Sequence, residues 1–115
     1  MHLEGEAKLI RIFVGEGDKS GLIPLYEKIV LEAKALGLAG ATVTKGIMGF
    51  GKDSRIHTAK ILRLSEDLPI VIEIVDSLEK IESFKEKLEE LFEATKSGGL
   101  ITIEKAEIIR YSSSK

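Results

Sequence analysis

The sequence predicts an α+β fold: a split β-α-β arrangement (βαββαβ) in which two helices cover one face of a four-stranded antiparallel sheet. Three observations predict it. Apolar residues recur at a two-residue period in four main stretches and at three- and four-residue steps in two others. These stretches alternate along the chain as strand, helix, strand, and then again as strand, helix, strand. The central strand-like stretches are also apolar at both parities, although two helices can cover only one face of such a sheet.

The first strand is predicted over "AKLIRIFV", Ala7 to Val14, where Ile10, Ile12 and Val14 alternate with Leu9, Arg11 and Phe13. "GEGDKSG" then breaks the pattern as a connection; it lacks the spacing and the terminal Lys-Ser/Thr of a P-loop. Pro24 suits a first helical turn, and Leu25, Ile29, Ala33 and Leu36 share one helical face before Gly37 supplies a left-handed stop. "ATVTKGIM" reads as a strand, and "AKILRL" from Ala59 as a shorter one. "LPIVIEIV" is a strong strand, ended by Asp76 and Ser77, with Glu79 placed for a capping box. Leu78, Ile81, Phe84, Leu88, Leu91 and Phe92 form the inner stripe of a second helix, with Glu and Lys on its solvated outer face. "GGLITIEKAEIIRY" supplies the last strand, and the tail from Ser112 to Lys115 is expected to fray.

One sheet face, carrying Ile10, Ile12, Ile70, Ile72 and Ile74, is apolar without interruption and is assigned to the helices. On the other, Arg11 and Glu73 interrupt apolar rows, and opposite charges on neighbouring central strands can pair. That face is a candidate subunit interface.

Composition excludes several functions. The 115 residues fit one domain, with 43% hydrophobic and 31% charged residues and a net charge of −2, which is wrong for a nonspecific nucleic-acid binder. Cysteine is absent, so neither a disulfide framework nor a thiolate metal site can form. Acids stand in the N-terminal stretch where a signal peptide needs a basic region and an apolar run, and a cytoplasmic setting is expected. Asn and Gln are missing while Lys and Glu abound, a pattern that suggests a thermophilic source. A zinc hydrolase needs more than the two histidines present, and base stacking on a sheet needs more than 5% aromatics. No enzyme is expected. His57 is a single loop histidine, and whether a metal binds is left open.

"GATVTKGIMGFG" followed by "IHT", then "LPIVIEIVDS", a helix and a glycine turn into a final strand, resembles the PII signal-transduction proteins. "LIRIFVGEGDKS", "PLYEKIV", "GIMGFG" and "DLPIVIEIVDS" are more similar still to an uncharacterised PII-like family of unknown function. The resemblance implies one ferredoxin-like, PII-like domain over residues 1–115, assembled as a homotrimer with sheets inward and helices outward. It also implies an adenine nucleotide or related anion in clefts between subunits, and a mobile loop that meets a partner. Members of that family are often encoded beside fluoride channels, which implies a membrane transporter or ion channel as the partner class. Nucleic acid is not an expected partner.

Carried over position by position, Gly49, Phe50 and Gly51 match a turn whose small residues let backbone N–H groups approach phosphate, and Lys52 stands at a basic position. Lys52, Asp53, Ser54, Arg55 and His57 then form the partner loop, with Asp53 standing where PII proteins carry a glutamine. Gly98 and Gly99 match a second phosphate loop, in which Leu100 replaces the usual lysine, and Arg110 matches one of two C-terminal arginines. The alternative is a metal- or anion-binding trimer like the divalent-cation tolerance proteins of the same fold. No residue is assigned a catalytic role.

Overall fold

The computed structural model describes residues 5–50, 57–58 and 68–113. The strands are β1 (Gly5–Gly15), β2 (Lys19–Ser20), β3 (Ile23–Pro24), β4 (Thr42–Lys45), β5 (Met48–Gly49), β6 (His57–Thr58), β7 (Pro69–Asp76) and β8 (Leu100–Ile108); the helices are α1 (Leu25–Ala35) and α2 (Leu78–Thr95). The main sheet has the order β4-β7-β1-β8 and is antiparallel throughout. This is the predicted split β-α-β topology, with β7 and β1 at the centre because α1 carries the chain from β1 past β7 to the outer strand β4, and α2 carries it from β7 past β1 to the outer strand β8.

Register follows the isoleucine pattern. Ile10 pairs with Ile74 and Ile103, and Ile12 with Ile72 and Ile101, so one face becomes a continuous aliphatic surface. Both helices lie on it: Leu25, Ile29 and Ala33 from α1, and Ile81, Phe84 and Leu88 from α2, join those isoleucines in one buried cluster. Each fully buried Leu, Ile or Phe contributes about 1.5–3 kcal/mol relative to an exposed one.

The end of α1 matches its sequence signal. Gly37 has φ +82, its N–H donates to the carbonyl of Lys34, and the N–H of Leu38 donates to that of Ala33. These two bonds form a Schellman motif, and Leu38 packs against the core beside it. Leu36, expected on the inner face, instead sits at the C-cap and is exposed, because the helix ends one residue before it. Pro24 is the N-cap and lacks a capping side chain; the N–H of Leu25 donates to the carbonyl of Asp18 at 2.7 Å instead.

Four further differences from expectation have physical causes. "GEGDKSG" does not run as a plain connection, since its end pairs back with Ile23–Pro24 as the β2-β3 hairpin. The strand expected over 41–48 divides into β4 and β5: the N–H of Gly46 donates to the carbonyl of Pro69 at 2.7 Å, and a Cβ at Gly46 would lie 2.8 Å from Cγ of Pro69. The expected capping box is incomplete, because Ser77 rather than Asp76 is the N-cap of α2; its hydroxyl accepts from the N–H of Lys80, leaving Glu79 one position short of a reciprocal bond. Ser112, expected to fray, forms a single-residue β-bridge. The short strand expected from Ala59 lies outside the described residues, as do Ser114 and Lys115.

Helix α2 ends on Lys96 in the left-handed region, with φ 55 and ψ 31. A side chain there costs about 1 kcal/mol that glycine avoids. Lys96→Gly is expected to raise stability by roughly 0.5–1 kcal/mol, read as a higher denaturant midpoint with an unchanged slope. A fall in midpoint would assign the lysine side chain a stabilising contact.

Candidate functional site

The predicted glycine turns lie at one end of the main sheet, where β4 and β1 finish and β7 and β8 begin. Beyond Gly46 the chain enters β5, which pairs with β6 so that Gly49 faces His57 and Met48 faces Thr58. The segment that opens toward the loop is therefore a hairpin rooted on Pro69. A Cβ at Gly49 would lie 3.0 Å from Cγ of Pro69, so this glycine is required by close approach to the proline ring. Phe50 is exposed, as are Ile47 and Met48. Gly51, Lys52, Asp53, Ser54 and Arg55 lie outside the described residues, and His57 is placed only as a β6 backbone position.

Gly98 and Gly99 form the turn from α2 into β8 at the same end of the sheet. They differ in role. Gly98 faces open space, whereas a Cβ at Gly99 would lie 2.6 Å from Cε2 of Phe92 and 2.9 Å from the carbonyl oxygen of Phe13. Gly99 is thus fixed by packing, whatever its backbone N–H can also bind. With β7 and β1 between β4 and β8, the two glycine regions stand about 14 Å apart at normal strand spacing. Arg110 is not brought to them: it follows the far end of β8, about 30 Å along the strand direction. There the hydroxyl of Tyr111 donates to the carbonyl of Ala39 at 2.7 Å, tying the chain's exit to the α1–β4 connection.

A groove of about 720 Å³ beside the Gly98–Gly99 turn is lined by Glu89, Phe92, Glu93, Lys96, Ser97, Gly99 and Ile101. Its two carboxylates disfavour a polyphosphate in that groove.

The sheet face away from the helices carries the pair expected from sequence. Nε of Arg11 donates to Oε2 of Glu73 at 2.6 Å, and its Nη1 donates to Oε2 of Glu104 at 3.2 Å. The hydrogen bond to Glu73 is the main cause of a guanidinium pKa raised above its ordinary value, against a smaller opposing effect of desolvation, so Arg11 stays charged at every working pH. Glu104 was not anticipated. Arg11 pairs with Thr102, and Glu104 is the diagonal neighbour two residues along β8, so only the β1-β8 register discloses it. Around this cluster lie half-buried Leu9, Phe13 and Val71 and exposed Val75 and Leu100, on the face opposite α1 and α2.

Asp76 also went unanticipated as a structural anchor. It is 3% exposed, and its carboxylate accepts from the N–H of Ala39 at 2.8 Å and of Ser77 at 2.7 Å. Among the described residues no group of three or more His, Asp or Glu is arranged to hold a metal ion, and no helix is long and apolar enough to cross a membrane.

Comparison with known proteins agrees with this architecture. The family DUF190, described as "Uncharacterized ACR", matches residues 7–108. A UPF0166 protein of Aquifex aeolicus is 41% identical over 102 residues, covering 89% of this chain and 92% of that protein. Another UPF0166 protein, from Methanocaldococcus jannaschii, is 41% identical over 98 residues, covering 85% and 87%. Among solved structures, CPII of Thiomonas intermedia K12, a nitrogen regulatory PII-like protein bound to ADP, AMP and bicarbonate, superposes with a TM-score of 0.68 at 17% identity over 94% of this chain and 91% of that one. A protein of Thermus thermophilus described as a PII-like signalling protein gives a TM-score of 0.66 at 23% identity, covering 91% of each chain. At these identities the structural likeness establishes a shared PII-like fold.

Proposed function

The chain belongs to the uncharacterised family DUF190, and from that premise we propose that it is a PII-like regulatory protein acting as a homotrimer, with an adenine nucleotide or related anion bound between subunits. The observation that carries this reading is the sheet face that, among the described residues, neither helix covers. Leu9, Phe13, Val71, Val75 and Leu100 surround a cluster in which Arg11 is already paired with Glu73 and, at the more exposed edge, with Glu104, so a second sheet can cover the apolar face without leaving the guanidinium unpaired. The nucleotide class is supported by the ADP and AMP bound to CPII, a protein of the same fold.

In this reading the backbone from Gly49 through Phe50 and Gly51 to Lys52 holds phosphate, with Gly98 and Gly99 as a second contact reached from outside the α2–β8 groove, whose carboxylates disfavour phosphate. Arg110 enters a site with either glycine turn only from a neighbouring subunit, given its distance within one chain. The segment from Lys52 to His57 contacts a regulated partner in the cytoplasm, a membrane transporter or ion channel being the class in view. The role is binding rather than catalysis, and one domain over residues 1–115 suffices for it. The metal-binding alternative has no specific observation behind it.

Two measurements on the wild-type chain test the proposal. Sedimentation at micromolar concentration is expected to give three times the protomer mass; a monomer would overturn the assembly. Melting with ADP, AMP, ATP, bicarbonate or magnesium alone is expected to show an upward shift with a nucleotide. At a ligand concentration about 100 times the Kd the gain is about 2.7 kcal/mol, which corresponds to roughly 10 °C. A trimer with no shift at millimolar nucleotide would leave the assembly standing and remove the nucleotide.

A further inference from the structure

The β2-β3 hairpin and the groove between α2 and β8 lie at the same end of the sheet but toward opposite edges. After β1 the chain turns toward β7, where the N–H of Glu16 donates to the carbonyl of Leu68 and its carboxylate accepts from Nζ of Lys45 at 2.9 Å. The hairpin base is held firmly. The N–H of Gly15 donates to Oδ2 of Asp18 at 2.9 Å, and the carbonyl of Asp18 accepts from Leu25 at 2.7 Å. Gly21, with φ +64, turns the tip, and the next residue, Leu22, is 99% exposed. A large aliphatic side chain is thereby displayed at the end of a tied-down prong, with exposed Lys19 on its flank. The groove offers the complement: its lining combines apolar Phe92 and Ile101 with the carboxylates of Glu89 and Glu93, which outnumber its one cation, Lys96.

We infer that Leu22 of one subunit docks into the α2–β8 groove of a second copy of this chain, with Lys19 facing Glu89 and Glu93. The occupant is a second copy because prong and groove match in both polarity and charge, and because one chain directs them toward opposite edges of its sheet. A prong at one edge and a socket at the other make a head-to-tail contact, the kind that closes a ring. The inference rests on the trimer proposed above and assigns that trimer a contact separate from the covered sheet face.

The chain has no cysteine, so an introduced pair reports the contact without background. Leu22→Cys combined with Ser97→Cys is expected to give covalent dimers and trimers on mild oxidation, whereas either single variant gives no ladder beyond the dimer. Leu22→Asp is expected to weaken assembly at least tenfold by sedimentation. Glu89→Lys with Lys19→Glu should recover more of the assembly than either change alone. A wild-type trimer whose double-cysteine variant stays monomeric on a non-reducing gel, and whose Leu22→Asp variant assembles normally, would overturn the docking and leave the trimer intact. A wild-type monomer would overturn both.

Discussion

Asp76→Ala is expected to lower the unfolding free energy by about 3 kcal/mol. The side chain is 3% exposed and its two oxygens serve separate backbone donors, Ala39 and Ser77. Hydrogen bonds to a charged group are worth about 1.5–3 kcal/mol each, and their removal leaves donors in a site that water does not readily reach. Asp76→Asn is expected to recover only part of the loss, since its amide offers one acceptor and turns an NH2 group toward the other donor. The damage should extend beyond the residue. Ala39 is also the acceptor for Tyr111, so amide exchange is expected to quicken in the α1–β4 connection as well as at the start of α2. Denaturant unfolding at a fixed protomer concentration checks the magnitude, and a midpoint within experimental error of wild type would refute the anchoring role.

Phe84→Ala is expected to cost about 3–5 kcal/mol, through lost transfer energy and the cavity left behind. Phe84 is fully buried at the middle of α2, against the isoleucines of the sheet. Alanine is the best helix former, so the loss would report packing rather than helix propensity. A fall in melting temperature of roughly 12–20 °C is anticipated for a chain of this size. A fall of a few degrees would mean that the two helices can close over the vacancy.

Much of the fold was legible because its signals are local. The isoleucines of β1 and β7 alternate at the period of a strand, and the inner stripe of α2 recurs at the period of a helix. Gly37 marked the end of α1 because the left-handed region is strongly disfavoured for other residues, and its φ of +82 bears this out. The signal at the start of α2 was ambiguous. Asp76 and Ser77 are both good N-caps, and local propensity does not rank them. Ser77 takes the cap because Asp76 is directed into the interior by a donor 37 residues away, Ala39.

By itself, then, the sequence determined the order of the main strands and helices, the helix-facing side of the sheet and the placement of Arg11 and Glu73 together on the other face, since each depends on period and parity along short stretches. The tertiary structure alone decided which residues meet across strands. Glu104 joins Arg11 through the β1-β8 register, Gly99 is fixed by Phe92 and the carbonyl of Phe13, and Gly46 ends β4 because Pro69 leaves no room for a Cβ. It also separated Arg110 from the glycine turns with which it had been grouped. A strand's two ends look alike in a periodic pattern, and only its place in the sheet assigns each end to a side of the molecule.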